Sequence, residues 1–136
     1  ERERHIEVRL MEKTTANKAA AMVKRFPLVH VVWHKKDCPV CEHFIPDLEE
    51  LSELLPNWRF FKVDADEHKE LTETVLWEPT AFPISYLFVE GQRKFVAIGA
   101  APMEAILDTH NSIENGTWKT PEEVEQEQID ASSEQE

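Results

Sequence analysis

The sequence predicts an α/β protein whose central mixed sheet carries helices on both faces. Three observations predict this class. Segments with strand and helix periodicity alternate through the first half of the chain, a nearly continuous apolar run occupies 28–33, and two short strand-like segments are joined by a glycine-containing turn at 90–93. Together they give the element order β-α-β-α-β-α-β-β-α, in which the closing hairpin makes the sheet mixed.

The first elements follow from local patterns. Apolar and charged residues alternate over 6–11, which indicates a half-buried strand. Thr14 or Thr15 can then cap a helix that ends before Pro27. The apolar run at 28–33 is short and rich in β-branched residues, as expected of a strand covered on both faces. This strand is therefore predicted to be central.

The remaining elements are predicted in the same way. They are a helix from 38 to about 55, a strand at 58–63, a short helix at 68–77, strands at 84–89 and 94–98, and a last helix at 102–113. Beyond 116 the composition changes to Glu, Gln and Ser. We therefore predict one domain over 1–116 and an acidic, disordered tail over 117–136.

Charge and hydropathy exclude several classes of partner. The net charge is -12 over 136 residues, which opposes binding to the phosphates of nucleic acids or of anionic membranes. No apolar stretch approaches the roughly 18 residues of a membrane span. We expect no nucleic-acid or membrane partner, a monomer, and a cytoplasmic location, with an oxidising compartment left open.

The chain contains two cysteines, Cys38 and Cys41, three positions apart at the predicted start of a helix. Residues at this spacing lie on one helix face with Cβ atoms about 5–6 Å apart. That separation suits a disulfide, whose Cα atoms are roughly 4.4–6.8 Å apart. A bridge closing so short a loop would restrain little of the unfolded chain. We therefore interpret the pair as a redox-active dithiol.

This element order, with Cys-x-x-Cys where the second strand meets the second helix, resembles the thioredoxin superfamily over roughly 6–113. Further positions carry the resemblance: Pro46 in the active-site helix, Phe82-Pro83 before the fourth strand, Gly91 in the last hairpin and Gly99 after the last strand. The resemblance implies the thioredoxin fold. It also implies a cis bond before Pro83, with Phe82 and Pro83 contacting substrate opposite the dithiol.

The chain departs from the usual thioredoxin pattern in three places. Val32 stands where thioredoxins carry a buried Asp, and Phe60 is expected at the position of the Lys that partners it. The motif reads Asp37-Cys38-Pro39-Val40-Cys41, and a proline directly after the first cysteine is closer to glutaredoxins and some disulfide oxidases. The sequence is therefore thioredoxin-like without being a standard thioredoxin.

Cys38 is the predicted nucleophile. At a helix N-terminus the free N–H groups and the helix dipole lower the pKa of a thiol. His34 and Lys36 add positive charge, and Asp37 opposes them unless its carboxylate caps the helix. Pro39 fits the first helical turn but supplies no N–H.

Cys41 is predicted to be the less exposed, resolving thiol. With Val32 in place of an acid, its proton must leave through water or through another side chain, Glu42 or His43. On the helix His43 lies about 200° from Cys41, which makes it a surface residue. The remaining acidic residues, Glu49, Glu50 and Glu53, are interpreted as the solvated side of the same helix.

The leading hypothesis is a thiol-disulfide oxidoreductase that acts on protein disulfides without metal or organic cofactor, recharged by an upstream reductase or oxidase. Such an activity would serve electron transport and cell redox homeostasis. Two alternatives stay open: a binding module that uses the fold and its acidic tail without turnover, and glutathione-dependent exchange. A zinc site formed by Cys38, Cys41, His34 and His43 is less favoured.

Overall fold

The computed structural model describes residues 11–67, 81–119 and 121–134, and the chain divides into two units, Glu1–Met103 and Glu104–Glu136. The first unit contains the sheet. In chain order the elements are β1 (Glu12–Lys13), α1 (Ala16–Arg25), β2 (Leu28–His34), α2 (Pro39–Ser52), β3 (Arg59–Asp64), a 3-10 turn (Ala65–Glu67), β4 (Ile84–Val89), β5 (Gln92–Ile98), α3 (Met103–Glu114) and α4 (Pro121–Glu134).

The sheet has five strands in the order β1-β3-β2-β4-β5. β1, β3 and β2 are parallel, whereas β4 is antiparallel to β2 and β5 is antiparallel to β4. The predicted mixed sheet is confirmed, and β2 is its central strand. The apolar run that forms β2 is buried from Val29 to Trp33 because strands lie on both sides of it and helices cover both of its faces.

Helix α1 packs on one face of the sheet. The Thr15 side chain caps it by accepting a hydrogen bond from the Lys18 N–H at 3.1 Å, and Pro27 follows its last turn. Ala16, Ala19 and Val23 recur at helical spacing along α1 and reach the core. They pack there with alternate strand residues, namely Val29, Val31, Trp33, Phe61 and Val63. This cluster is the main core of the first unit.

Helix α2 lies on the opposite face. Side chains alternate along a strand, so Val32 and His34 point away from the face that carries α1. Lys62 of β3 is in register with Val32 and shares that face. Its Nζ lies 3.4 Å from the Glu49 carboxylate of α2. The predicted placement of helices on both faces is therefore confirmed by α1 and α2.

Several predicted elements differ from the structure or lie outside its described residues. The predicted strand at 6–11 overlaps them only at Met11, and β1 is the short segment Glu12–Lys13. The predicted helix at 68–77 falls wholly outside them. No helix in the described ranges is long and apolar enough to cross a bilayer.

The predicted disordered tail differs most from the structure, which forms helix α4 over Pro121–Glu134. Pro121 fits the first turn of a helix, and Glu122 and Glu123 complement its dipole. Glu and Gln are also good helix formers. The side chains of residues 122–130 are exposed, so α4 has no buried face over these residues.

Candidate active site

Cys38 and Cys41 form a disulfide at the N-terminus of α2, with their Cα atoms 5.2 Å apart. The strand β2 ends at His34, and the chain turns through exposed residues before α2 begins at Pro39. Cys38 is the N-cap residue and Pro39 occupies the first turn, where its missing N–H costs no intrahelical bond. The predicted spacing therefore places both sulfur atoms at one helix end.

Besides its disulfide partner, the Cys38 sulfur lies near two backbone groups of the residues that the structure describes. It accepts a hydrogen bond from the Cys41 N–H, with Sγ and N 3.2 Å apart. It also lies 3.8 Å from the carbonyl oxygen of Phe82, in the segment that leads into β4. Cys38 is 7% exposed and Cys41 is 3% exposed. The sulfur of Cys38 thus lies between the first turn of α2 and the backbone carbonyl of Phe82.

The segment before β4 has the geometry implied by the resemblance. The Phe82-Pro83 peptide bond is cis. Pro83 is buried, and its carbonyl oxygen accepts a hydrogen bond from the Gly99 N–H at 2.7 Å. Phe82 is half-buried, and the ammonium of Lys35 lies 5.4 Å from its ring centroid. The structure therefore brings Phe82 and Cys38 together.

The cap of α2 differs from the expectation. Asp37 is exposed and has a left-handed φ of 56°, and the capping acceptor is the Cys38 sulfur. The Asp37 carboxylate, which could have capped the helix, therefore does not do so. The turn is held instead by the Lys36 N–H, which donates to the Asp66 carboxylate at 2.6 Å. Val40 is about half exposed beside the disulfide.

His34 plays a different part from the predicted cation. It is half-buried at the end of β2, and this burial lowers the pKa of its ring below 6.5, although Asp64 acts in the opposite direction. At neutral pH the ring is therefore uncharged. Lys35 and Lys36 remain as the positive charges in the turn, and both are exposed.

Sequence reasoning missed a buried ion pair. Glu49 was expected to be solvated, yet it is 9% exposed, accepts a hydrogen bond from the Met11 N–H at 3.1 Å and pairs with Lys62. The residue opposite Val32 is Lys62 and not Phe60. Counting back from Asp64, where β3 ends, would have given this register. No sequence signal distinguishes Glu49 from its exposed neighbours Glu50 and Glu53.

A zinc site is not assembled in the described part of the chain. No group of three or more His, Cys, Asp and Glu residues there is arranged to hold a metal ion. The two sulfur atoms that the site would need are bonded to each other. His43 is exposed on α2.

Comparison with known proteins gives consistent results. The sequence model of the Thioredoxin family matches residues 10–112. The chain is 30% identical over 88 residues to Thioredoxin-1 of Saccharomyces cerevisiae, an alignment that covers 65% of this chain and 84% of that protein.

Solved structures show the same fold. Thioredoxin from Plasmodium falciparum superposes with a TM-score of 0.67 at 23% identity, covering 75% of this chain and 98% of that one. Oxidised mitochondrial thioredoxin 3 from Saccharomyces cerevisiae gives a TM-score of 0.61 at 24% identity, covering 79% and 92%.

Proposed function

Because the chain belongs to the thioredoxin family, whose members are thiol-disulfide oxidoreductases, we propose that it exchanges disulfides with protein substrates through Cys38 and Cys41. The observation that carries the proposal is the disulfide at the N-terminus of α2, with the Phe82 carbonyl oxygen 3.8 Å from the Cys38 sulfur. One sulfur atom therefore lies next to both a helix N-terminus and the backbone carbonyl that precedes Pro83.

The reaction starts from the reduced pair. The Cys38 thiolate attacks one sulfur of a substrate disulfide, a bond forms between the two proteins, and the other substrate sulfur leaves as a thiolate. The Cys41 sulfur then attacks Cys38, which forms the intramolecular disulfide and releases the second substrate thiolate. The substrate gains two electrons and the pair loses two.

The chain supplies the features that the first step requires. The Cys41 N–H, already 3.2 Å from the Cys38 sulfur, donates a hydrogen bond that stabilises a thiolate there. The positive end of the α2 dipole acts in the same direction. Both effects lower the pKa of the Cys38 thiol and raise the thiolate fraction at neutral pH.

The proposed substrate is an extended polypeptide segment that lies along the surface formed by Val40, Phe82 and Pro83. Val40 and Phe82 offer accessible apolar area beside the disulfide, whereas Pro83 is buried and shapes the backbone beneath them. We propose that the extended segment pairs its backbone groups with those of the 82–83 segment, such as the Phe82 carbonyl.

The proposed direction is reduction in the cytoplasm, where thiols are kept reduced and an upstream reductase can recharge the pair. The reaction needs no metal or organic cofactor. The reduction potential tests the direction, because a value near about -270 mV indicates a reductase and one near about -120 mV an oxidant.

The test of function is reduction of insulin by dithiothreitol. The protein is expected to accelerate precipitation of the insulin chains, and Cys38→Ser is expected to abolish the acceleration. Cys41→Ser should instead accumulate mixed disulfides with insulin through Cys38, visible on a non-reducing gel and removed by reductant.

Four results would contradict the proposal. Turnover that survives in Cys38→Ser would exclude exchange through this sulfur. Trapping by Cys38→Ser alone would exchange the roles of the two cysteines. Binding of partners without any turnover by the unmodified protein would favour the binding-module hypothesis, and turnover with glutathione but not with a reductase would favour glutathione-dependent exchange.

A further inference from the structure

The proposed function leaves one proton unassigned. Cys41 must lose its thiol proton before its sulfur can attack Cys38, yet Cys41 is 3% exposed and burial in apolar surroundings raises the pKa of a thiol. Val32 supplies no acid or base on the sheet beneath α2, and the two candidates on α2 itself, Glu42 and His43, are exposed. A proton acceptor is therefore needed on the sheet side of the helix.

His34 offers an available acceptor atom on that side. Its Nε2 atom is buried and has no hydrogen-bond partner in the structure as described. His34 is two residues after Val32 in β2, so it shares the sheet face that carries Lys62 and α2. A buried polar atom without a partner is uncommon and calls for an explanation.

Along the strand direction, His34 lies nearer to the level of Cys41 than Val32 or Glu49 does. Glu49 contacts Lys62, which is level with Val32, so α2 runs back from the end of β2 towards its middle. Cys41 precedes Glu49 by eight residues, or about 12 Å of helix rise. His34 lies about 7 Å beyond Val32 along β2. Of Val32, His34 and Glu49, His34 is therefore the side chain nearest to the level of Cys41, about 5 Å short of it along the strand, whereas Glu49 is two helical turns away.

We propose that the Nε2 atom of His34 accepts the Cys41 proton when the mixed disulfide is resolved. The inference rests on the proposed function. The Cys41 S–H bond breaks as the proton moves to Nε2, the sulfur electron pair forms the bond to the Cys38 sulfur, and the bond between Cys38 and the substrate breaks. The substrate sulfur leaves as a thiolate, and the imidazolium returns its proton to that thiolate or to water.

The charged groups around His34 are compatible with its role as the acceptor of the Cys41 proton. Asp64 of β3 is in register with it, and Lys62, Lys13 and Glu67 are the other charged groups that act on it. Asp64 and Glu67 favour the imidazolium that forms, whereas Lys62 and Lys13 oppose it. Burial lowers the pKa of the ring, so the neutral, proton-accepting form is the one present at pH 7.

The other buried carboxylate is already engaged. Glu49 accepts a hydrogen bond from the Met11 N–H and pairs with Lys62, and it lies eight residues along α2 from Cys41. Glu49→Gln is therefore a matched control for a second ionisable group beneath the same helix. His43→Gln is the control for an exposed histidine of α2.

The experiment is the reaction of the reduced protein with dithionitrobenzoate, which releases a coloured thiolate in two phases. The first phase reports attack by Cys38 and the second reports attack by Cys41 on the mixed disulfide. In His34→Gln we expect an unchanged first phase and a second phase slower by about 100-fold at pH 7, the lower end of the effect of a positioned base.

The pH profile separates proton transfer from a structural defect. In the unmodified protein the second-phase rate should rise with pH through a pKa below 6.5 and then level off, whereas in His34→Gln it should keep rising towards the pKa of the thiol, about 8.5 or higher. His34→Phe, which keeps a ring of similar size, should behave like His34→Gln. Glu49→Gln and His43→Gln should keep the profile of the unmodified protein.

The two proposals can fail separately. If the unmodified protein releases no thiolate in the first phase, the proposed function is wrong and this inference falls with it. If both phases occur and His34→Gln keeps the original profile, the function stands and His34 is not the acceptor. A profile that changes in Glu49→Gln but not in His34→Gln would assign the proton to Glu49 and likewise overturn the inference.

Discussion

Cys38 combines the parts of helix cap and proposed nucleophile. An N-cap residue normally accepts a backbone hydrogen bond through oxygen, and here the Cys38 sulfur accepts from the Cys41 N–H. In the proposed reaction, the same donor that caps the oxidised protein stabilises the thiolate of the reduced one. Asp37, next to it in the chain, places a negative charge where it opposes that thiolate.

Replacing the Asp37 charge tests this balance. Asp37→Asn keeps a residue that tolerates the left-handed φ of 56° while removing the carboxylate. The apparent pKa of Cys38, measured by alkylation rate against pH, should fall by roughly half a unit because the negative charge on the adjacent, solvent-exposed residue is removed. An unchanged or higher pKa would show that Asp37 does not act on the thiolate, and Asp47→Asn, farther along α2, is the control.

His110 of α3 is a second residue whose environment sets its charge. Its side chain is buried, and its Nδ1 atom lies 2.7 Å from the Ile106 carbonyl oxygen one turn earlier. Burial lowers the pKa of the ring to about 4, and the hydrogen bond to the carbonyl and the charge of Glu114 only partly offset this effect. The folded protein therefore holds His110 neutral over a range in which the unfolded chain protonates it.

This difference predicts a loss of stability in acid. The unfolded chain binds the proton first as the pH falls. The free energy of unfolding is therefore unaffected by His110 above pH 6.5 and decreases between pH 6.5 and about 4, by up to roughly 3 kcal/mol. Urea unfolding of the protein and of His110→Phe at several pH values should show a flatter dependence in the variant. Parallel dependences would contradict the prediction, and His43→Gln is the exposed control.

At the scale of elements, Glu49 connects three segments of the first unit. Its carboxylate belongs to α2, accepts from the Met11 N–H just before β1, and pairs with Lys62 of β3. The side chains of Lys62 and Glu49 are 25% and 11% exposed, so the pair is only partly screened by water. Removing one partner of such a pair leaves the other charge desolvated and unpaired.

A double-mutant cycle measures this connection. Glu49→Gln keeps an acceptor for the Met11 N–H but removes the charge, and it should lower the free energy of unfolding by about 1–3 kcal/mol. With Lys62→Met in the same chain the loss should be smaller than the sum of the two single losses. Glu50→Gln, on the exposed side of α2, should change stability by less than about 0.5 kcal/mol. Additive losses would indicate that the two charges do not interact.

At the scale of the whole molecule, the net charge of -12 and the separate second unit matter most. The side chains of α4 from Glu122 to Asp130 are exposed and largely acidic. Since the proposed reaction uses residues of the first unit alone, α4 has no part in it. The binding-module alternative, in contrast, gives this acidic segment the main part.

Deletion of residues 121–136 separates the two hypotheses. The shortened protein should reduce insulin at the same rate and melt within about 3 °C of the full chain, because exposed side chains contribute little to stability. A large loss of turnover would make the acidic segment part of the active protein. A variant with the tail glutamates replaced by Gln then distinguishes an effect of charge from one of chain length.

Local sequence was enough to predict much of the molecule because its signals are short-range. The apolar run of β2, the Thr15 cap and the prolines that end the helices depend on a few neighbouring residues each. The 121–134 segment shows the limit of this reasoning, because a composition typical of disorder is also rich in helix formers. The expectation that Glu49 lies on the solvated side of α2 failed because the burial of a helix residue depends on which strands the helix packs against.

The sequence by itself determined that two cysteines one helical turn apart open a helix after a central strand, because spacing and periodicity are properties of neighbouring residues. Only the tertiary structure decided which groups surround them: the Phe82 carbonyl beside the Cys38 sulfur, Lys62 opposite Val32, and the buried Nε2 atom of His34. These contacts join residues distant in the chain. They follow from strand register and helix packing, which no local pattern specifies.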